Sequence, residues 1–190
     1  MNKNKIILPV MLLVVIVYIN GCLMGKTNYT SVKYYGLRSS HQQLPADTTI
    51  KIANISAIGG TGTKMAFKTR QCRVMIDEYH RWLNRPATMI KIALQSSFSG
   101  SAATITADVT EYTVTATVFE FMADVENNTA VLGVNYQIKS KRGDELEELV
   151  TFKVPLKSVD PDNYALAMSK AVNQLAAHLS KAIKSLAVNR

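Results

Sequence analysis

The sequence predicts an α+β fold in which a mainly antiparallel sheet carries two helices on one face. Residues 103–156 alternate between apolar and polar side chains in three runs joined by short turns, which is typical of an antiparallel meander. From residue 161 onward, apolar side chains recur three and four positions apart, which predicts a long amphipathic C-terminal helix. A shorter helical spacing begins at Pro86. Packing both helices on the same face of the sheet would bury every apolar stripe.

The N-terminus has the organisation of a lipoprotein signal. Lys3 and Lys5 precede the apolar run 6–19, which is too short to span a bilayer with margin. The following Ile19-Asn20-Gly21-Cys22 resembles a bacterial lipobox, and this resemblance implies that Cys22 carries a diacylglycerol thioether. A plain signal peptide, or a membrane-anchor helix that ends near a cysteine, is the alternative. We divide the chain into a lipoprotein signal peptide at 1–21, a flexible tether at 22–32 and a single α+β domain at 33–190.

The other elements follow the same two periodicities. Strands are predicted at 32–37, 48–55, 65–76 (one or two strands), 103–118, 131–138 and 146–156. A loop is expected at 39–47, and the glycines from Gly59 to Gly62 interrupt the pattern. The run 103–118 is long for one strand, so we expect a bulge or bend near Thr110. Asp160 is placed to cap the last helix, with Pro161 at its first position.

Charge and cysteine content restrict the classes of function. The chain has a formal net charge of +8, but no block of like charges occurs and no aromatic residues alternate with a basic stripe. We therefore expect no nucleic-acid partner, and instead a surface that faces anionic lipid head groups or an acidic partner. If Cys22 is acylated, Cys72 has no disulfide partner and is expected to pack as a small buried side chain, with a reactive thiol as the alternative.

No arrangement of catalytic or metal-binding residues stands out. The three histidines are His41, His80 and His178, and neither His41 nor His178 has a second ligand at metal-binding spacing. Cys72 and His80 could form a nucleophile and base pair, but no orienting group accompanies them. The glycine-rich stretch 59–64 has the wrong spacing for a phosphate loop, and a strand pattern follows it. We expect no enzymatic activity, no cofactor and no metal.

Trp82 permits two interpretations. It is the only tryptophan and lies among polar and charged residues just before the helix that begins at Pro86. It could pack at the helix entry, or it could be an exposed anchor in a protein interface, where large rigid rings are favoured.

The order of several short motifs is similar to that of the ABC-type transport auxiliary lipoproteins. The motifs are the lipobox and tether, Lys33-Tyr34-Tyr35-Gly36-Leu37, Trp82-Leu83-Asn84-Arg85-Pro86, Ile105-Thr106-Ala107-Asp108-Val109-Thr110-Glu111-Tyr112 and the C-terminal helix. They cover nearly the whole mature chain, although each is short. The chain departs from the family where Asn84-Arg85-Pro86 replaces the usual small residues, and in the strand Lys68–Arg73.

The resemblance implies an outer-membrane lipoprotein that faces the periplasm. Such a protein would dock an MCE-domain protein of an ABC transport system that moves phospholipid or another hydrophobic solute, and it could form a homo-oligomeric ring. We place the expected partner-binding surface near Tyr34, Tyr35 and Trp82. The alternatives are a lipoprotein that acts as an assembly factor or activator for an outer-membrane or cell-wall machine, and a tethered enzyme.

Overall fold

Two helices cover one face of a mixed seven-stranded sheet in the computed structural model, which describes residues 30–45, 47–70, 73–99 and 109–188. The predicted signal peptide, Cys22, most of the tether and Cys72 lie outside these residues, as do positions 103–108. By their own contacts, residues Val32–Arg190 form one unit. No helix in the described ranges has the length and hydropathy needed to cross a membrane.

The element bounds agree with most of the predicted ones. They are β1 (Lys33–Tyr35), β2 (Thr48–Ala57), β3 (Lys64–Lys68), β4 (Val74–Trp82), α1 (Pro86–Phe98), β5 (Thr110–Asp124), β6 (Thr129–Ser140), β7 (Glu145–Pro155) and α2 (Pro161–Val188). The predicted run 65–76 is a hairpin of two strands, and its second strand extends to Trp82. The described bulge in β5 lies between Val118 and Glu120, whereas the residues before Val109 are outside the described part of the chain.

The α+β fold class is confirmed, but the sheet is mixed rather than purely antiparallel. Strands β5, β6 and β7 form the predicted antiparallel meander, and β3–β4 is a further antiparallel pair. In contrast, β1 pairs with β4, and β2 and β3 both pair with β5, in parallel. Parallel pairs need a crossover between strands that are distant in sequence. Alternation along each strand carries no information about such a partner, which is why the sequence pattern did not show it.

The core lies between the sheet and the two helices. Strands β5 and β6 direct alternate side chains toward the helices, and Tyr112, Val114, Leu132 and Ile138 are fully buried there. Helix α1 packs against β2 and β5, helix α2 packs against β6 and β7, and the helices contact each other. Burying each large apolar side chain contributes about 1.5–3 kcal/mol, so this single face supplies most of the stability.

The start of α2 confirms the predicted cap. The Asp160 carboxylate accepts a hydrogen bond of 2.8 Å from the Asn163 backbone N–H, and Pro161 occupies the first helical position. This hydrogen bond, with others from Ser158 and the Asn163 side chain, lowers the pKa of Asp160 to about 2. The cap fixes where α2 begins, and therefore where the first turn of this helix lies relative to strand β1.

Candidate partner-binding surface

The two tyrosines of β1 occupy one edge of the sheet. Within the described residues, strand β1 pairs only with the last three residues of β4, with Tyr34 opposite Arg81 and Tyr35 opposite Trp82. Since successive side chains of a strand point to opposite faces, Tyr34 is 61% exposed whereas Tyr35 is half-buried against the core. The backbone N–H of Leu83 donates a 2.7 Å hydrogen bond to the Tyr35 carbonyl, which holds the end of β4 against β1.

Tyr35 is held by groups from two other elements. Its ring lies 5.9 Å from the His80 ring, measured between centroids, and its hydroxyl lies near the Asp162 carboxylate at the start of α2. Burial raises the pKa of Tyr35, and the nearby carboxylates of Asp162, Asp77 and Asp160 add to this effect. Tyr35 therefore remains protonated and links β1 to the first turn of α2.

A groove runs between β1 and helix α2. Its volume is about 540 Å³, and it is lined by residues 34–38 on one side and by Asp162, Ala165, Leu166 and Ser169 on the other. We call it the β1 groove. Tyr34 and Leu166 are exposed apolar side chains at its margin. Large apolar side chains that remain exposed beside a groove are typical of protein-binding sites.

The segment after β1 is fixed along the helices. The Arg38 N–H donates to Ser169 Oγ (3.1 Å), the Ser40 N–H donates to Asn173 Oδ1 (2.9 Å), and Ser180 Oγ donates to the Gln43 carbonyl (2.9 Å). The Gln42 N–H also bonds the Ser97 carbonyl at the end of α1 (2.8 Å). Residues 36–45 were predicted as a strand end and a loop; these contacts fasten the segment to both helices, and its first three residues line the β1 groove.

Trp82 lies in the core rather than at the surface. It is 1% exposed, and its ring makes edge-to-face contacts with Phe121 and Tyr164, each at 5.1 Å between centroids. Of the two interpretations that the sequence left open, this placement matches packing. The structure brings Trp82 next to the two tyrosines in β1, but only Tyr34 and Tyr35 can reach a partner directly.

A polar cluster of Asp77 and His80 lies beside Tyr35 on β4. The Asp77 carboxylate accepts hydrogen bonds from the backbone N–H groups of Tyr79 and His80 and from His80 Nδ1 at 2.8 Å. Burial acts to raise the pKa of Asp77, but these hydrogen bonds together outweigh it and leave the pKa below its ordinary value. Asp77 and His80 are thus partners of each other, and they lie in the part of β4 where its pairing with β3 is irregular, between Ile76 and Arg81.

His178, which lies on helix α2, also has a structural role. His178 of α2 and Tyr136 of β6 both hydrogen-bond to Glu148 Oε2 of β7, at 3.0 Å and 2.5 Å. We call these three residues the Glu148 cluster. The two hydrogen bonds lower the pKa of Glu148, whereas burial raises the pKa of Tyr136. Within the described residues no group of three His, Cys, Asp or Glu side chains could hold a metal ion.

Sequence reasoning missed the part of the groove that α2 provides. Asp162 follows the predicted cap in the first turn of α2, where a negative charge is favourable to the helix dipole, and Leu166 does not belong to the buried stripe of α2. The only available signal was Leu166 itself, a large apolar residue on the polar side of an amphipathic helix.

Comparison with known proteins gives a family and a fold. Residues 61–180 match the family model described as "ABC-type transport auxiliary lipoprotein component", which is more than half of the chain. A search of curated proteins by sequence found no match. A crystal structure described only as an uncharacterized protein shares 13% identity at a TM-score of 0.65 and covers 80% of this chain and 99% of its own. A Xanthomonas campestris protein assigned to the family DUF330 shares 14% identity at a TM-score of 0.65, covering 82% and 99%. At these identities the two structures show a shared fold.

Proposed function

Because the chain belongs to the family of ABC-type transport auxiliary lipoprotein components, we propose that it is a docking module for the periplasmic part of an ABC transport system. As a lipoprotein of this family it is membrane-anchored and periplasmic. We further propose that the anchor is in the outer membrane, that the partner is an MCE-domain protein, and that the cargo is phospholipid or another hydrophobic solute. In this proposal the protein acts by binding and has no enzymatic activity.

The observation that carries this proposal is the β1 groove. It combines exposed apolar side chains, Tyr34 and Leu166, with walls that hydrogen bonds hold in place before any partner arrives. A rigid site loses little conformational entropy on binding, which favours affinity. The groove also includes β1, which follows the predicted tether in the sequence.

A matched pair of leucines tests the proposal. Leu166 lies at the groove, and Leu149 lies on β7 at the other end of the sheet; they are 46% and 67% exposed. In a pull-down of the MCE-domain protein by the full-length lipoprotein, Leu166→Ala and Tyr34→Ala should each weaken binding about tenfold, the effect of losing a moderate hot spot. Leu149→Ala should bind as the unchanged protein does.

Two results would count against this function. Equal binding by Leu166→Ala and Leu149→Ala would remove the β1 groove as the docking site. Capture of an outer-membrane barrel or a cell-wall synthase, with no MCE-domain protein, would favour an assembly factor or activator instead.

A further inference from the structure

The sheet has a gap along one edge of β5. Strand β2 pairs with β5 as far as Ala57 opposite Val118, and β3 begins to pair with it at Phe67 opposite Ala123. Between these points, residues 119–122 of β5 have no strand neighbour on that edge in the described part of the chain. The loop 58–63 spans the gap, and the first turn of α1 also lines it.

This gap is the mouth of a cleft of about 690 Å³. The volume is within the range of sites that bind small molecules. Its apolar lining includes Ile58, Ala66, Val74, Ala87, Phe119 and Met122. Ile58 is 71% exposed, and Val74 and Phe119 are exposed as well. We call it the sheet-gap cleft.

The apolar surface continues from the cleft along β4. Phe67 contacts Tyr164 of α2, so the adjacent residue Ala66 faces the side of the sheet that carries no helix. Ile76 lies directly opposite Ala66 and is exposed on that same side. Contiguous exposed apolar surface of this kind marks binding sites.

A second cleft on the sheet has a polar lining, so the clefts of this protein differ in polarity. That cleft, of about 390 Å³, is lined almost entirely by polar side chains of β2, β5, β6 and β7, including Ser56, Thr117, Gln137 and Glu147. The apolar lining therefore distinguishes the sheet-gap cleft from this polar cleft on the same sheet.

Two charged side chains at the sheet-gap cleft indicate which chemical group a bound ligand would carry next to its apolar part. Among the lining residues that the structure describes, Arg85 is the only cation and Glu120 the only anion. Arg85 is exposed, and within the described residues no ion pair joins it to a carboxylate. An anionic group next to an apolar chain would complement it.

We propose that the sheet-gap cleft binds one acyl chain of a lipid whose anionic group is held by Arg85. The anion is either the carboxylate of a free fatty acid or the phosphate of a phospholipid, since both present the same chemistry to a guanidinium. This site goes beyond docking, because it gives the protein direct contact with an amphiphile without any protein partner.

The test uses the full-length lipoprotein in phosphatidylcholine vesicles, with no other protein present. The vesicles contain one of three photoactivatable, alkyne-tagged probes, namely oleate, phosphatidylglycerol or oleyl alcohol, and labelled peptides are identified by mass spectrometry. We expect an anionic probe to label the peptides that contain Ile58, Val74 or Phe119. Labelling by oleate alone, by phosphatidylglycerol alone or by both identifies the source of the anion.

Three variants separate the two halves of the proposal. Val74→Asp should reduce labelling at least tenfold, and Leu149→Asp, at an exposed position on β7, is its control. Arg85→Gln should reduce labelling by the anionic probes about fivefold and leave labelling by oleyl alcohol unchanged. Glu120→Gln should increase labelling by the anionic probes, because it removes a like charge. Thermal melts confirm that each variant is folded.

The proposal is overturned if no probe labels these peptides, or if Val74→Asp lowers labelling no more than Leu149→Asp does. The role of Arg85 is overturned if Arg85→Gln affects the alcohol and the acid equally. Because the vesicles contain no transport partner, failure here leaves the docking proposal untouched, and failure of the pull-down leaves this site untouched.

Discussion

The two ends of the sheet expose different types of side chain to solvent. At the β7 end, Glu145 and Glu147 hydrogen-bond to Gln137 and Asn135 of β6, and the Glu148 cluster closes the other face against α2. At the β1–β4 end, Tyr34, Met75, Ile76 and Leu83 are large, apolar and exposed. Edge strands are normally protected by charged residues. On β7 Leu149 is the one large apolar side chain that is exposed among the described residues, so the β7 end is mostly protected, whereas the β1–β4 end is built to be covered.

At the β1–β4 end, substitutions in the buried core should lower the free energy of unfolding more than substitutions at the surface. Trp82→Ala removes a buried ring that contacts Phe121 and Tyr164, and it should lower the free energy of unfolding by about 3–5 kcal/mol. Urea unfolding measures this loss. Tyr79→Ala, an exposed aromatic on the same strand, is the control and should change stability by less than about 0.5 kcal/mol. Equal losses would mean that burial does not distinguish these positions.

The Glu148 cluster should matter to stability, although less than Trp82. Glu148→Ala removes the acceptor shared by Tyr136 and His178 and should cost about 1–2 kcal/mol, a value reduced for a carboxylate whose side chain is 42% exposed. The pKa of Glu148 is lowered in the folded protein, so its contribution is present above its ordinary pKa and disappears as the pH falls below it. Thermal melts of both proteins across the acid range should therefore converge at low pH.

The cap of α2 should contribute about 1 kcal/mol. Asp160→Ala removes the acceptor for the Asn163 N–H at the helix start, close to the β1 groove. The folded pKa of Asp160 is about 2, below its ordinary value of 3.8, so the stabilisation is complete above that value and is lost as the pH falls toward 2. Asp160→Asn, which retains a cap acceptor without the titration, should keep most of the stability and lose the pH dependence. If both variants melt alike at neutral pH, the hydrogen bond is not the source of the stabilisation.

The smallest effect on stability is expected at the exposed leucines. Leu166→Ala and Leu149→Ala should each change the free energy of unfolding by less than about 0.5 kcal/mol, because both side chains are exposed and neither belongs to the core. They should differ only in the pull-down described above. A large loss of stability in Leu166→Ala alone would show that Leu166 supports the fold of α2, and its effect on docking would then have to be attributed to that.

Much of the fold could be predicted because it follows from local patterns. The alternation in β5, β6 and β7, the position of Pro86 at the start of α1 and the Asp160-Pro161 start of α2 are set by residues close together in sequence. The family was recognised in the same way, from the order of short motifs, and the family model confirms it. Of the candidate site, only Tyr34 and Tyr35 could be identified, since the opposite side of the groove comes from α2.

The sequence by itself thus determined the class of fold, the limits of most elements and the family. The tertiary structure decided the burial of Trp82, the parallel neighbours of β5, the β1 groove and the sheet-gap cleft. The physical reason is that helix and strand periods depend on neighbours a few residues away. Burial, grooves and gaps depend instead on which distant segments lie side by side, and alternation along a strand is the same whichever partner it meets.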